Sequence, residues 1–295
     1  MSPRTVALLA LGVIAVAFSS ILVRLADDAP ALAIAFYRNA FAAAVVAPLA
    51  ALRHRDEVRA LSRRDWGIGV FAGAMLALHF ALWVPSLAFT TVAASTVLVT
   101  TQPVWVAVIG RAVGETVTRR AALGIGLSIA GAVVISGGDL GLSPRAAFGD
   151  VLALLGAVAA AAYFVAGRTL RTRISLLTYV AIVYTTCAVL LAGAMLVSGT
   201  PFVGFEAEVW VLFALMAIVP QFLGHTVFNY LLAEVPASVV AIAVTGEPVG
   251  ATVLAFAFFD EVPAWTAFAG GAAILAGIYV TISAASRTTP VAPIE

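Results

Sequence analysis

The chain of 295 residues is 63% hydrophobic and 11% charged, with a formal net charge of +1 and a mean hydropathy of +1.09. A soluble domain cannot hide that much apolar surface, so the solvent for most of the chain is lipid. The near-neutral charge says nothing about nucleic acid; the lack of a soluble domain and of a basic tail argues against it. The single cysteine, Cys187, inside an apolar run, excludes an intramolecular disulfide and suggests no redox site.

Residues 5–23 form a 19-residue run without a charge. At about 1.5 Å per residue it is long enough to cross roughly 30 Å of hydrocarbon. It begins like a signal peptide, but Arg24 and another apolar segment follow without a small-residue cleavage site, which predicts a retained helix. A second span, 32–52, carries Arg38 and Asn39, and an arginine-rich loop, RHRDEVRALSRRD, fills 53–65. Residues 66–110 hold no Asp, Glu, Lys or Arg; these 45 residues are too many for one span, and Pro85 with Thr90-Thr91 marks the turn between two. A fifth span covers 121–137, and five more fall near 149–168, 175–197, 209–232, 237–258 and 264–285, giving ten.

The second half repeats the first. Gln102-Pro103 aligns with Glu247-Pro248 at an offset of 145, and Gly114-Glu115, Gly124 and Gly131 align with Asp260-Glu261, Gly270 and Gly277 at 146. Gly12, Arg24 and Trp66 match Gly156, Arg168 and Trp210 at 144, and His79 matches His225 at 146. The expected organisation is a first five-helix repeat over 1–140, a second over 141–286, and a short cytoplasmic tail, 287–295. The basic set is arginine alone, 16 residues without a lysine. With ten spans, 13 arginines share the side of the termini and two, Arg24 and Arg145, face the other, which puts both termini in the cytoplasm. Five helices per repeat is an odd number, so the halves enter the membrane in opposite directions, the inverted topology common among secondary transporters.

These features together resemble the drug/metabolite transporter superfamily, and within it the EamA family of ten-helix carriers. The resemblance runs over about residues 5–285. It rests on LHFALWVPSLAFTTVAASTVLVTTQPVWVA at 78–107, on Gly114-Glu115 with GIGLSIAGAVV, and on Glu247-Pro248, Asp260-Glu261 and GGAAILAGIYV in the second half. YddG-type amino-acid exporters are closest in style. The resemblance implies an all-α membrane fold of two inverted repeats around a central cavity, lined mainly by spans 1, 3, 4, 6, 8 and 9. It also implies a small-molecule substrate such as an amino acid or other metabolite.

Polar groups inside the membrane carry the chemical information, because a charge at a helix centre costs about 2.5–3.5 kcal/mol on insertion scales. Glu247 is the sharpest, with twelve uncharged residues on either side. Its carboxyl is expected to carry a proton or hold a cationic group, or else to act as a neutral acid pinning a proline-broken helix. Its counterpart Gln102 is uncharged. Pro103 and Pro248 are expected to kink their helices and free a carbonyl near the midplane. His79 and Trp83 lie four apart on one helix face, as do His225 and Asn229. Thr101 joins Gln102 as a substrate-binding candidate, and Trp105 and Tyr163 are candidate aromatic walls. Gln221 belongs to the same polar set. Arg38, about six residues into its helix, is expected near the outer interface, paired or snorkelling.

Gly69 and Gly73, Gly110 and Gly114, and Gly246 and Gly250 form small-residue spacings that allow close helix approach. Glu115 and Asp260-Glu261 are expected to cap the helix that follows each of them. No HExxH zinc helix, intramembrane protease signature or Walker A motif is present, so the expectation is no enzyme, no metal and no cofactor. HTVFN at 225–229 lacks the Gly-x-Ser-Gly of a serine protease, and Gly137-Gly138-Asp139 lacks the Gly-x-Gly-Asp order of an aspartyl protease. The sequence therefore predicts an inner-membrane carrier exporting a small metabolite, a monomer or weak homodimer whose partners are its substrate and the bilayer. The rival readings are an uptake carrier or exchanger and, from another class, a non-transporting receptor or membrane partner.

Overall fold

The computed structural model of the chain describes residues 1–90, 95, 98–114, 117–135, 143–260, 262 and 265–285. Every regular element among them is helical: α1 (Pro3–Leu25), α2 (Ala31–Arg53), α3 (Arg55–Ala60), α4 (Arg63–Ser86), α5 (Gln102–Ala112), α6 (Arg119–Ile135), α7 (Pro144–Arg171) and α8 (Leu176–Ser198). Then come α9 (Ala207–Met216), a π-helical stretch (Ala217–Thr226), α10 (Val227–Leu231), α11 (Ala237–Val244), α12 (Glu247–Phe259) and α13 (Trp265–Ala285). Four long helices start on the same device. Ser2, Ser62, Ser143 and Ser175 each accept a hydrogen bond from the backbone N–H three residues on, which satisfies a donor the first turn cannot.

Seven segments among the described residues are long and apolar enough to cross a membrane: Pro3–Leu25, Ala31–Arg53, Arg63–Ser86, Pro144–Arg171, Leu176–Ser198, Ala207–Leu231 and Ala237–Phe259. The chain is an all-α membrane protein. The other expected spans are helical where described, with α5 11 residues long, α6 17, and an apolar stretch Phe268–Thr281 inside α13. The division at 140, the tail 287–295, and the expected roles of Glu115, Glu261 and Gly137-Gly138-Asp139 lie outside the described residues.

Helices pack through small residues, because lipid offers no hydrophobic drive to bring them together. The α4 helix lies on α7 and α8, α2 on α8, α1 on the π-helical stretch and α12, and α6 on α13. A Cβ added at Gly73 would stand 2.6 Å from Thr186 Cβ and 2.7 Å from the Val183 carbonyl oxygen, so the α4 and α8 backbones touch there. The α6–α13 contact is reciprocal: Gly124 faces Gly277, Gly131 faces Gly270, and Ser128 donates to the Ile274 carbonyl at 3.4 Å. Gly114, expected to pack, instead turns the chain after α5 at φ 85° with nothing near its Cβ position. Its aligned partner Asp260 is likewise left-handed, φ 55°, and donates its N–H to Phe256. Asp260 therefore closes α12, its N–H filling an orphan carbonyl at the end of that helix.

Contacts sort the polar termini into two ends of the bundle. At one end Arg4 donates to the Tyr230 hydroxyl at 2.6 Å, Arg173 meets Asp65 at 3.7 Å, and Arg168 donates to the Leu232 carbonyl at 2.7 Å. At the other, Arg145 donates to the Ala88 carbonyl, Thr90 to Asp150, and Tyr37 to the Phe202 carbonyl. Glu57, in the short α3 at the arginine-rich end, caps α8. It accepts from the Ser175 N–H at 2.6 Å, from the Ser175 hydroxyl at 2.5 Å and from the Thr178 hydroxyl. Burial works to raise the Glu57 pKa, but the bonds from Ser175 and Thr178, with His54 nearby, outweigh it and hold the carboxyl below its ordinary value.

Two outcomes are expected. Gly73→Leu forces α4 and α8 apart and costs on the order of 1–3 kcal/mol of overpacking, whereas Gly126→Leu, with open space at its Cβ position, is tolerated; thermal unfolding of both in one detergent checks this. A depressed folded-state pKa stabilises fully above the unfolded value of about 4.3, and that stabilisation is lost as pH falls through the folded value. Glu57→Gln therefore lowers the melting midpoint at neutral pH, and the gap from the unaltered protein closes on acidification. A gap that stays constant with pH speaks against the cap.

Candidate functional site

Two helices break at matching points. Leu98 and Val99 are helical, the chain turns at Thr100-Thr101, and α5 starts at Gln102 with Pro103 in its first turn. In the second half α11 ends at Val244, the chain turns at Thr245-Gly246, and α12 starts at Glu247 with Pro248 in its first turn. Pro103 and Pro248 are thus not kinks within continuous helices, and Glu247 is not in mid-helix. Each proline opens a new helix, where its missing N–H was an orphan in any case. The donor that an unbroken helix would offer the Val99 and Val244 carbonyls is gone, since positions 103 and 248 have no N–H. Gln102 and Glu247 sit at helix N-termini, which favour negative charge.

Both breaks open onto one central cavity of about 40 Å³. At about 10–15 Å³ per water it holds a few waters and nothing much larger. The lining brings together His79, Trp83, Gln102, Tyr163, His225 and Glu247, joined by Arg38, Ser19, Phe80, Val99 and Val244. Three other sequence candidates stand off the lining. Trp105 donates from Nε1 to the Thr101 hydroxyl at 3.3 Å, and Thr101 donates to the Leu98 carbonyl at 2.7 Å. Asn229, fully buried, accepts from the Tyr163 hydroxyl at 2.6 Å and donates to the Tyr184 hydroxyl at 3.4 Å.

Arg38 is the main correction. It is 1% exposed and lines the cavity; it does not snorkel at an interface. Its Nε donates to Gln221 Oε1 at 3.1 Å and its Nη1 to the Ser19 hydroxyl at 3.0 Å, while its Cζ stands 4.3 Å from the centre of the Phe80 ring. Gln221 in turn donates to Asn39 Oδ1 at 3.1 Å, and Asn39 to the Ala35 carbonyl at 2.9 Å. Phe36, Tyr37, Phe202, Phe205, Trp210 and Phe213 stack over this end of α2, with Tyr37 tied to the loop at Phe202. One sequence signal pointed there. Once 13 arginines are assigned to one side and two to the other, Arg38 is the one of the 16 left over.

The expected His79–Trp83 pair forms, with rings parallel within 5° and centroids 5.9 Å apart. His79 Nδ1 lies 3.0 Å from the Gly156 carbonyl; a carbonyl only accepts, so Nδ1 carries the proton and Nε2 of a neutral ring is left as an acceptor. In the second half His225, near the end of the π-helical stretch, lines the cavity, whereas Asn229, on α10, does not. Gly156 packs on Trp83 and Gly12 on the Phe228 ring, so the counterpart of Trp83 is Phe228, at offset 145.

The sequence profile of the EamA-like transporter family matches residues 3–137 and again 147–283. The chain is similar to an uncharacterised transporter of Archaeoglobus fulgidus, 28% identical over 287 residues, covering 95% of this chain and 98% of that one. A solved crystal structure of a protein 17% identical shares the fold, with a TM-score of 0.81 over 97% of this chain and 99% of the other.

Removing the guanidinium spares an insertion cost of about 2.5–3.5 kcal/mol and leaves the Gln221 and Ser19 oxygens without their donor, at about 1–3 kcal/mol, so the two nearly cancel. Arg38→Met is therefore expected to keep the thermal midpoint. A marked loss of stability would make Arg38 part of the scaffold.

Proposed function

The chain belongs to the EamA-like transporter family, and from that premise we propose that it is a ten-span secondary carrier exporting small metabolites. Amino acids or similar amphipathic solutes pass through the central cavity by alternating access. The observation that carries this reading is the cavity itself, where a few polar side chains converge in an otherwise apolar wall at two broken helices. Such breaks are tolerated at membrane depth where they line a cavity.

The carrier is built of two inverted five-helix repeats, 1–140 and 141–286, followed by the tail 287–295. The double match to one family supports the division. So do the left-handed residues at aligned positions 114 and 260 and the reciprocal α6–α13 contact. The antiparallel pairing of Gly124 with Gly277 and of Gly131 with Gly270 is what a two-fold axis in the membrane plane would produce. Both termini lie in the cytoplasm of a cell whose inner membrane holds the protein, supported by the clustering of Arg4, Arg168 and Arg173 at one end. The protein acts as a monomer or weak homodimer, needs no cofactor and has no catalytic step.

Transport rocks the third and fourth spans against the eighth and ninth around Gln102 and Glu247. His79, Trp83, Tyr163 and His225 face the substrate, and Thr101, Trp105 and Asn229 brace them from behind. Glu247 is the proton-coupling group. The other charged or titratable groups on its cavity are Arg38, His79, Tyr163 and His225. A carboxyl among neutral and cationic neighbours can alternate between charged and neutral forms as the cavity opens to either side.

Flux across proteoliposomes tests this, with a panel of amino acids and other small metabolites measured with and without a pH gradient. The expected result is saturable efflux that responds to the gradient, with the response lost in Glu247→Gln. Saturable flux indifferent to pH, or an intact pH response in the variant, removes the coupling role. Uptake against the expected direction reverses the assignment of export.

A further inference from the structure

Five buried side-chain polar atoms among the described residues lack a hydrogen-bond partner, and three belong to residues lining the central cavity. They are Nη2 of Arg38, Nε1 of Trp83 and Nδ1 of His225. All three are nitrogens. Those of arginine and indole can only donate, and an imidazole Nδ1 donates in one tautomer. Buried polar groups are nearly always satisfied, so three orphan nitrogens on one cavity describe the partner they await. That partner accepts hydrogen bonds.

The guanidinium narrows the choice further. Its Nε and Nη1 are committed to Gln221 and Ser19, and its flat face rests on Phe80, which leaves the Nη2 edge uncommitted. Among the described residues no carboxylate comes within 4 Å of it, although Glu247 lines the same cavity. A fixed cation held away from water, with Glu247 on the same cavity but no carboxylate in contact, gains most from an anion that arrives with hydrogen-bonding oxygens. Leu76, Phe164, Phe228 and Val244 make the rest of the wall apolar, which suits an apolar body and disfavours a sugar or nucleotide.

We infer that the cavity recognises its substrate by a carboxylate bound at Nη2 of Arg38, with Trp83 Nε1 and His225 Nδ1 as flanking donors. The inference rests on reading the cavity as the transport site. It makes Arg38 the specificity-determining group and separates this role from that of Glu247, which handles a proton.

The test uses the full chain in lipid nanodiscs and four probes: L-leucine, 4-methylpentanoate, L-leucinamide and sodium chloride. Binding is measured by calorimetry, and flux of the same probes is followed in proteoliposomes. L-leucine and 4-methylpentanoate are expected to bind saturably, and L-leucinamide, which lacks the carboxylate, at least tenfold more weakly. Arg38→Gln should weaken the two carboxylates by about 10- to 100-fold, the worth of a hydrogen bond to a charged group, while its melting midpoint is kept. Trp83→Phe, which removes only the indole donor, should weaken them by about 2- to 10-fold. Arg145→Gln, at the outer end, should leave them unchanged. L-leucinamide binding as tightly as L-leucine would overturn the inference, as would full carboxylate affinity in folded Arg38→Gln. So would chloride occupying the site with no carboxylate able to displace it, or the absence of binding by either carboxylate. Carboxylate binding without flux would keep the subsite and remove the carrier, whereas flux without carboxylate preference would do the reverse.

Discussion

A guanidinium in hydrocarbon cannot be left without partners, and the centre of this bundle is arranged around Arg38. Inserting such a charge costs about 2.5–3.5 kcal/mol on translocon scales, and a hydrogen bond to a charged group returns about 1.5–3 kcal/mol. The two bonds it donates to Ser19 and Gln221 are therefore enough to hold Arg38 in place, before the Phe80 face is counted. They draw α1 and the π-helical stretch toward α2, and Asn39 extends the same chain of bonds to the α2 backbone. What they leave over is one uncommitted edge, aimed at a cavity that two broken helices share.

Around that centre the packing follows from the absence of a hydrophobic force between helices in lipid. Backbones meet at Gly73 and at the Gly124–Gly277 and Gly131–Gly270 crossings, where a side chain would collide with a carbonyl. Large apolar side chains such as Leu123, Val197 and Phe268 point outward. Besides bonds across helix pairs, such as that of Ser128 to Ile274, this arrangement gives polar side chains two main places. They close the ends, as Glu57 does on α8, or they gather at the breaks before Gln102 and Glu247.

The seven long spans were legible because hydrocarbon thickness demands long uncharged runs such as residues 5–23. Six of the nine candidate site residues reach the cavity, because helical spacing and the repeat place them on facing sides. The depth of Arg38 was not legible. Counting six residues into a helix presumes that the helix begins at the interface, whereas a lid of aromatics from α2, α9 and the segment before it covers this end. Asn229 stands off the cavity for a reason that spacing does not carry: it lies on α10, beyond the π-helical stretch, and its amide is taken up by Tyr163 and Tyr184. The prolines were recognised as breaking features, but whether a helix bends or restarts depends on the preceding turn. Here Thr245-Gly246 and Thr100-Thr101 leave the helix before each proline.

The central claim is that this cavity opens to each side of the membrane in turn. Its most direct test is the reactivity of a cysteine at the break, Val244→Cys in a protein whose buried Cys187 has been replaced. The variant would be reconstituted in one orientation and exposed to a membrane-impermeant thiol reagent from one side or the other. The account predicts labelling from both sides, slowed from either by a transported substrate. Labelling from one side alone, or from neither in a folded protein, would contradict it.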